Sequence, residues 1–314
     1  MSDKDTFAGY HPLVNMLYFT AVIGFAMFFT HPVCLGLSLI FATAYSIYLN
    51  GRKAIRFNLV YMLPMLILAA LLNPAFNHQG GTILNYFPSG NPLTLESILY
   101  GIAAAVMLIT VISWFSCFNV VMTSDKFVYL FGRIIPALSL ILSMALRFVP
   151  RFRAQIKVIS NAQKCVGRDI STEKILRKTK VGFKIISAGS IFRKIKHGIK
   201  ILSILVTWAL ENAIETADSM KGRGYGLPGR TSFSIFRFDQ RDVFALVYIL
   251  ACSAVVISGN VTGAYYFRYF PTVKGDWTGA SVFIFFVYLA LVAFPMVINI
   301  KEDIIWRRIK AGTL

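Results

Sequence analysis
The stretch "ADSMKGRGYGLPGR" (217–230) sets one arginine among closely spaced glycines at the end of a helical pattern. Gly222, Gly224 and Gly226 leave backbone uncovered on both sides of Arg223. A guanidinium presented in this way can enter a groove on another protein and meet a carboxylate through two parallel hydrogen bonds. The same glycine spacing suits a phosphate loop, but such a loop follows a strand and opens a helix, whereas this one closes a helix. No GxxxxGK[ST] sequence exists, so ATP binding through a P-loop is not expected. Glu211, Glu215 and Asp218 share a helical face, spaced like a metal-binding row, yet no histidine joins them and a salt-bridged face is the simpler reading. His11, His31, His78 and His197 are scattered, the first three near membrane boundaries. Cys34, Cys117 and Cys252 lie inside apolar runs and Cys165 in a basic one, without the spacing of a zinc site or a disulfide framework. The expectation is therefore a chain without catalytic residues, metal or cofactor, whose chemistry is recognition.

The elements that must carry such a hook are membrane helices. Apolar residues make up 56% of the 314 residues and charged ones only 15%, against about 25% in soluble domains. Six runs approach the roughly 20 residues that a span needs: 12–30, 33–50, 56–72, 95–122, 242–259 and 280–300. Pro64 is expected to kink the third. None has an acid or base in its middle, which disfavours an ion or proton pathway. The N-terminus "MSDKDTFAGYHP" lacks a basic leader, so the first run reads as a retained span.

Lys and Arg set the expected orientation. "GRKAIR" (51–56) and the final "KEDIIWRRIK" belong in the cytoplasm, and the uncharged stretch 73–94 belongs outside. Six spans with both termini cytoplasmic satisfy every loop, so the expected fold is an all-α polytopic bundle in the cell membrane. The segment 134–146 is short for a crossing and is expected to lie at the inner interface or dip partway in, the alternative being a short tilted span.

The net charge of +18 is concentrated between Arg147 and Arg241. Over 147–200 the bases alternate with apolar residues, which suits short amphipathic helices on an anionic leaflet, broken at Gly182, Gly189 and Gly198. No nucleic-acid motif accompanies the charge. Residues 199–221 then pattern as a helix whose Ala209, Ala213 and Ala217 form a small-residue stripe for close helix approach. These alanines pack either under the spans or against a second helix, 145–166. Gly167 and Gly222 would stop the two helices. The expected division is 1–122 for N-terminal membrane helices, 123–241 for a cytoplasmic or interfacial region and 242–314 for C-terminal membrane helices.

Over 123–169 and over "WALENAIETADSMKGRGYG" (208–226) the chain resembles the transmembrane T component of energy-coupling factor (ECF) transporters, the EcfT/CbiQ type. That family ends each of two cytoplasmic coupling helices in Ala-Arg-Gly. Gly222, Arg223 and Gly224 match the second motif, with Gly in place of Ala. Cys165, Val166 and Gly167 align with the first, so Val166 replaces its arginine; either Arg168 or Lys164 takes over the contact, or that end docks through apolar packing. The stretch 170–198 has no counterpart in the resemblance. The resemblance implies a scaffold without chemistry of its own: two ABC-type ATPase subunits below it, a membrane-embedded substrate-binding S component beside it, and a vitamin or metal as cargo. Two readings compete. One is an integral-membrane enzyme that binds phospholipid or polyprenyl phosphate through the basic residues of 147–200; the other is a stand-alone channel or carrier.

Overall fold
A computed structural model describes residues 5–86, 90–132, 136–166, 188–225, 227, 236–275 and 277–312. Its helices are α1 (Pro12–Phe28), α2 (Pro32–Asn50), α3 (Arg52–Phe76), α4 (Leu95–Val121), α5 (Ser124–Gly132), α6 (Pro136–Cys165), α7 (Ala188–Gly222), α8 (Gln240–Val261) and α9 (Gly279–Gly312). Two small hairpins, β1 (Ile83–Tyr86) with β2 (Pro92–Thr94) and β3 (Phe267–Arg268) with β4 (Lys274–Gly275), are the strands among the described residues. Helices α2, α3, α4, α8 and α9 are long and apolar enough to cross a membrane, and α1 is a shorter apolar helix of 17 residues. The protein is a multi-pass helical membrane protein, and the six expected spans coincide with these helices. Pro64 of α3 has no N–H for the carbonyl four residues back, and a π-helical turn at Asn58–Met62 immediately precedes it.

The chain forms two compact units, one of residues 1–130 and 235–314 and one of residues 131–234. The first unit is the membrane bundle. Its core gathers the buried face of α1 (Val14, Tyr18, Phe19, Val22) around Trp114 of α4, Tyr45 of α2 and Tyr288 and Leu291 of α9. Polar tips inside this core find partners, as burial demands. Trp114 Nε1 donates to Ser38 Oγ at 2.9 Å, and the Tyr18 hydroxyl donates to the Val292 carbonyl at 3.1 Å. Helices α3 and α4 approach so closely that a Cβ on Gly101 would stand 2.7 Å from the Ala70 carbonyl oxygen. At one end of this unit Gly81 N–H bonds the Pro271 carbonyl at 2.9 Å, tying the two hairpin connections together.

At the other end a polar cluster fastens the N-terminal segment. Asn299 Oδ1 accepts from the Thr6 and Phe7 amides at 2.9 and 3.3 Å, and its Nδ2 donates to Asp5 at 2.7 Å. Tyr45 donates to the other Asp5 oxygen at 3.1 Å. Lys126 of α5 is buried and donates to the carbonyls of Ala8 and Val121. The Asn15 carboxamide, oriented to satisfy both its ends, accepts from Lys126 Nζ at 2.9 Å and donates to the Phe7 carbonyl at 3.1 Å. All three ammonium protons thus have acceptors. Burial still lowers Lys126 to about 8, partly offset by the Asp5 carboxylate.

The second unit corrects two local expectations. Residues 136–146 are continuous with the helix expected over 145–166, both belonging to α6, which runs to Cys165. Likewise α7 runs unbroken through Gly189 and Gly198, while Gly182 lies outside the described residues. A mid-helix glycine costs about 1 kcal/mol relative to alanine, which a 35-residue helix with a packed face absorbs.

Candidate functional site
Helices α6 and α7 pack on each other, and the residues that do it are aromatic. Phe152 meets the Trp208 ring edge-on at 5.9 Å, and the Arg151 guanidinium lies 5.5 Å above that ring. Ile159 and Leu205 are buried nearby in sequence. The expected crossing of two long helices therefore exists, but Ala213 and Ala217 remain exposed and Ala209 is half-buried. The larger face of Leu205, Trp208, Asn212 and Thr216 is the one turned inward. A second apolar face of α7 stays open, with Ile199, Leu202, Val206, Leu210 and Ile214 between 49% and 65% exposed.

From the Phe152–Trp208 contact each helix runs roughly 20 Å further to its end, at 1.5 Å per residue. The end of α7 is built by its own backbone. Tyr225 N–H bonds the Met220 carbonyl at 3.0 Å and Gly224 N–H bonds the Lys221 carbonyl at 3.0 Å, the paired bonds of a Schellman cap. Gly224 occupies the left-handed position with φ +78°. The stop is thus Gly224 and not Gly222, which lies inside the last turn; a Cβ on Gly222 would meet nothing within 4 Å. Between them Arg223 is exposed, held at the point where the chain turns away from the helix.

The end of α6 is different. Lys164 and Cys165 are exposed in its last turn, and Val166 follows with 69% of its surface open and its amide bonded to Ala162 at 3.2 Å. Gly167 and Arg168 lie outside the described residues. One helix therefore ends in a charged fork and the other in an apolar side chain beside a lysine. Among the described residues no group of three or more His, Cys, Asp and Glu could hold a metal, and Glu211, Glu215 and Asp218 are all exposed.

Sequence reading passed over a second constellation, at the start of α1. His11 caps that helix, its Nδ1 accepting from the Leu13 amide at 3.3 Å, and its Nε2 lies 3.2 Å from the Tyr129 hydroxyl. Its own amide donates to Asp242 at 3.0 Å, while Asp242 completes a capping box with Asp239 at the start of α8. The signal was present in the dipeptide His-Pro, which occurs at 11–12 and again at 31–32, where His31 caps α2 in the same way.

Fold and helix ends together define a class: a polytopic helical membrane protein in which α7 ends in an exposed arginine and α6 runs into an exposed valine. No family model matches the chain. It is similar to three curated proteins, each called the energy-coupling factor transporter transmembrane protein EcfT. The protein of Lactobacillus helveticus is 28% identical over 36% of this chain and 35% of its own length. That of Lactococcus lactis is 29% identical over 38% of this chain and 40% of its own. That of Listeria monocytogenes, EcfT 1, is 27% identical over 67% of this chain and 74% of its own. The chain thus spans about a third to two fifths of the first two relatives and about three quarters of the third. The resemblance to the T component of these transporters is borne out by all three.

Proposed function
We propose that the chain is the transmembrane scaffold subunit of an ECF-type importer and that it does no catalysis itself. Two ABC-type ATPase subunits receive the ends of α6 and α7 in surface grooves, and ATP is hydrolysed on those partners. A membrane-embedded S component packs beside the bundle, with the open apolar face of α7 and its Ala213 and Ala217 as a seat for close helix approach. Both termini and the ends of α6 and α7 lie in the cytoplasm, and the working division is 1–122, 123–241 and 242–314. Closure of the ATPases moves the helix ends, and the crossed pair carries that motion to the S component, which releases a vitamin or a metal inward.

The observation that carries this reading is the exposed Arg223 on a Schellman-capped helix end. A rigid, bare tip holds a guanidinium away from its own chain, which suits a carboxylate in a partner's groove. Truncating one member of such a buried pair costs roughly 2–5 kcal/mol, much of it from the partner charge left unpaired. Arg223→Ala should therefore insert normally, lose copurifying ATPases and lose uptake. Wild-type yield of the complex and wild-type uptake in that variant would refute the docking role.

A further inference from the structure
The chain passes from the membrane unit into the charged unit after residue 130 and returns at residue 235. Tyr129 stands just before the first passage; Phe236 and Phe238 stand just after the second. These side chains meet inside the membrane unit. The Tyr129 and Phe236 rings lie 5.0 Å apart, His11 stands edge-on to Tyr129 at 5.4 Å, and it stands edge-on to Phe238 at 5.0 Å. One imidazole at the start of α1 thus touches both connecting segments, and through its backbone amide it is bonded to Asp242 at the start of α8.

We propose that His11 is a positioning residue that clamps the two connecting segments together, so that a pull on the charged unit reaches α1 and α8 as a single displacement. This rests on the importer reading for its purpose, though not for its geometry. Two independent flexible connections would let the pull dissipate in the chain. Fixed to one ring, they move with the bundle.

The ring works only in its neutral form. Nδ1 accepts from Leu13, so the proton sits on Nε2 and is donated to the Tyr129 oxygen. A second proton on Nδ1 would face the Leu13 N–H and break the cap. Tyr129 and Asp242 act on His11 directly, and the other charged or titratable groups of the neighbouring elements are these. Tyr129 and Lys126 belong to α5, the lysine being turned to the Ala8 and Val121 carbonyls. Arg241, 4.5 Å over the Tyr10 ring, and Asp242 belong to α8. Arg237 and Asp239 lie in the returning segment, and Glu302 of α9 acts on Tyr10. Asp242 favours the cation, but burial prevails and holds His11 below the ordinary imidazole value of 6.5. Acid should therefore open the clamp only as the pH falls below about 6.5 and through that lower value.

The test is hydrogen exchange on the full chain in detergent, following peptides over 124–132 and 236–243 at pH 7.5 and in steps below 6.5 until the His11 ring, followed by NMR, has taken up its second proton, corrected for intrinsic rates. In His11→Ala both peptides should exchange about two- to tenfold faster, the worth of one ordinary hydrogen bond. In the wild type, taking up that second proton should reproduce the change, and in His11→Ala the same acid should add nothing. His11→Asn separates the roles, because its side-chain oxygen can cap α1 but is too short to reach Tyr129. It should protect the first turn of α1 and still loosen both segments. Wild-type protection of both segments in His11→Asn, loosening of one segment only, or a wild type indifferent to acid would each overturn the proposal. With ATPases and S component reconstituted, His11→Asn should hydrolyse ATP but import less. If the wild type retains no ATPases, the importer reading fails, and the exchange result still decides the clamp.

Discussion

The end of α7 allows a sharp test, because its two glycines have opposite reasons for being there. Gly224 sits at φ +78°, a conformation that costs an L-residue roughly 1–2 kcal/mol. A Cβ there would also stand 3.0 Å from a Leu227 methyl, a flexible neighbour that can yield. Gly224→Ala should therefore lower the population of the capped tip by about five- to thirtyfold relative to its frayed forms. Gly222 is helical and faces open space, so Gly222→Ala should strengthen the last turn by about 0.5–1 kcal/mol. It would also create the alanine of the Ala-Arg-Gly motif found in the family the chain resembles, so the groove proposed on an ATPase partner should accept it. The assay is twofold: amide exchange over 216–227, and the yield of ATPases copurified with the chain. Gly224→Ala should exchange faster and recover less ATPase; Gly222→Ala should exchange more slowly and recover at least as much. Unchanged exchange and yield in Gly224→Ala, or loss of ATPases in Gly222→Ala, would refute the idea that a pre-shaped tip presents Arg223.

Two more predictions concern the membrane unit. A Cβ at Gly101 would meet backbone at 2.7 Å, which cannot step aside as a side chain can, so Gly101→Leu should part α3 from α4 and lower the thermal midpoint in detergent by several degrees. An unchanged midpoint would show that this approach is not tight. Lys126 is held to about 8 when folded, against an ordinary 10.5, so the unfolded chain binds more protons between those values. Stability should consequently rise with pH from about 8 to about 10.5, and Lys126→Met should flatten that slope in chemical unfolding followed across the range.

What was legible in the sequence follows from the range of the signal. The spans could be read because about 20 apolar residues in succession have few other uses in a folded chain. The arginine hook could be read because glycine spacing is local. Its register was misplaced by two residues, since Gly222 and Gly224 both suit a helix end and only the 6→1 bond from Tyr225 to Met220 decides between them. The packing face of α7 was misjudged for a related reason. The helix has two apolar faces, and the more regular one, with Ala213 and Ala217, is the face left open. Periodicity shows that a face is apolar but not what covers it. The polar cluster was beyond reach altogether: Asp5 and Asn299 are 294 positions apart, and no local pattern connects them.

The unequal ends of α6 and α7 follow from the same physics. A guanidinium in a groove contributes strongly only if the partner's carboxylate is desolvated with it, and it discriminates by leaving that carboxylate unpaired in the wrong fit. An exposed valine contributes through burial of apolar area alone, which is tolerant of small changes in register. A scaffold whose two ends must both stay attached while their separation changes gains from having one end of each kind. Under the docking proposed above, the α7 end, with its capped backbone and Arg223, would fix position, and the α6 end, with Val166 and Lys164, would keep contact while it shifts. On this view the arginine absent from the first motif is a division of labour between the tips, in which the rigid α7 end sets the reference point for the movement of the other.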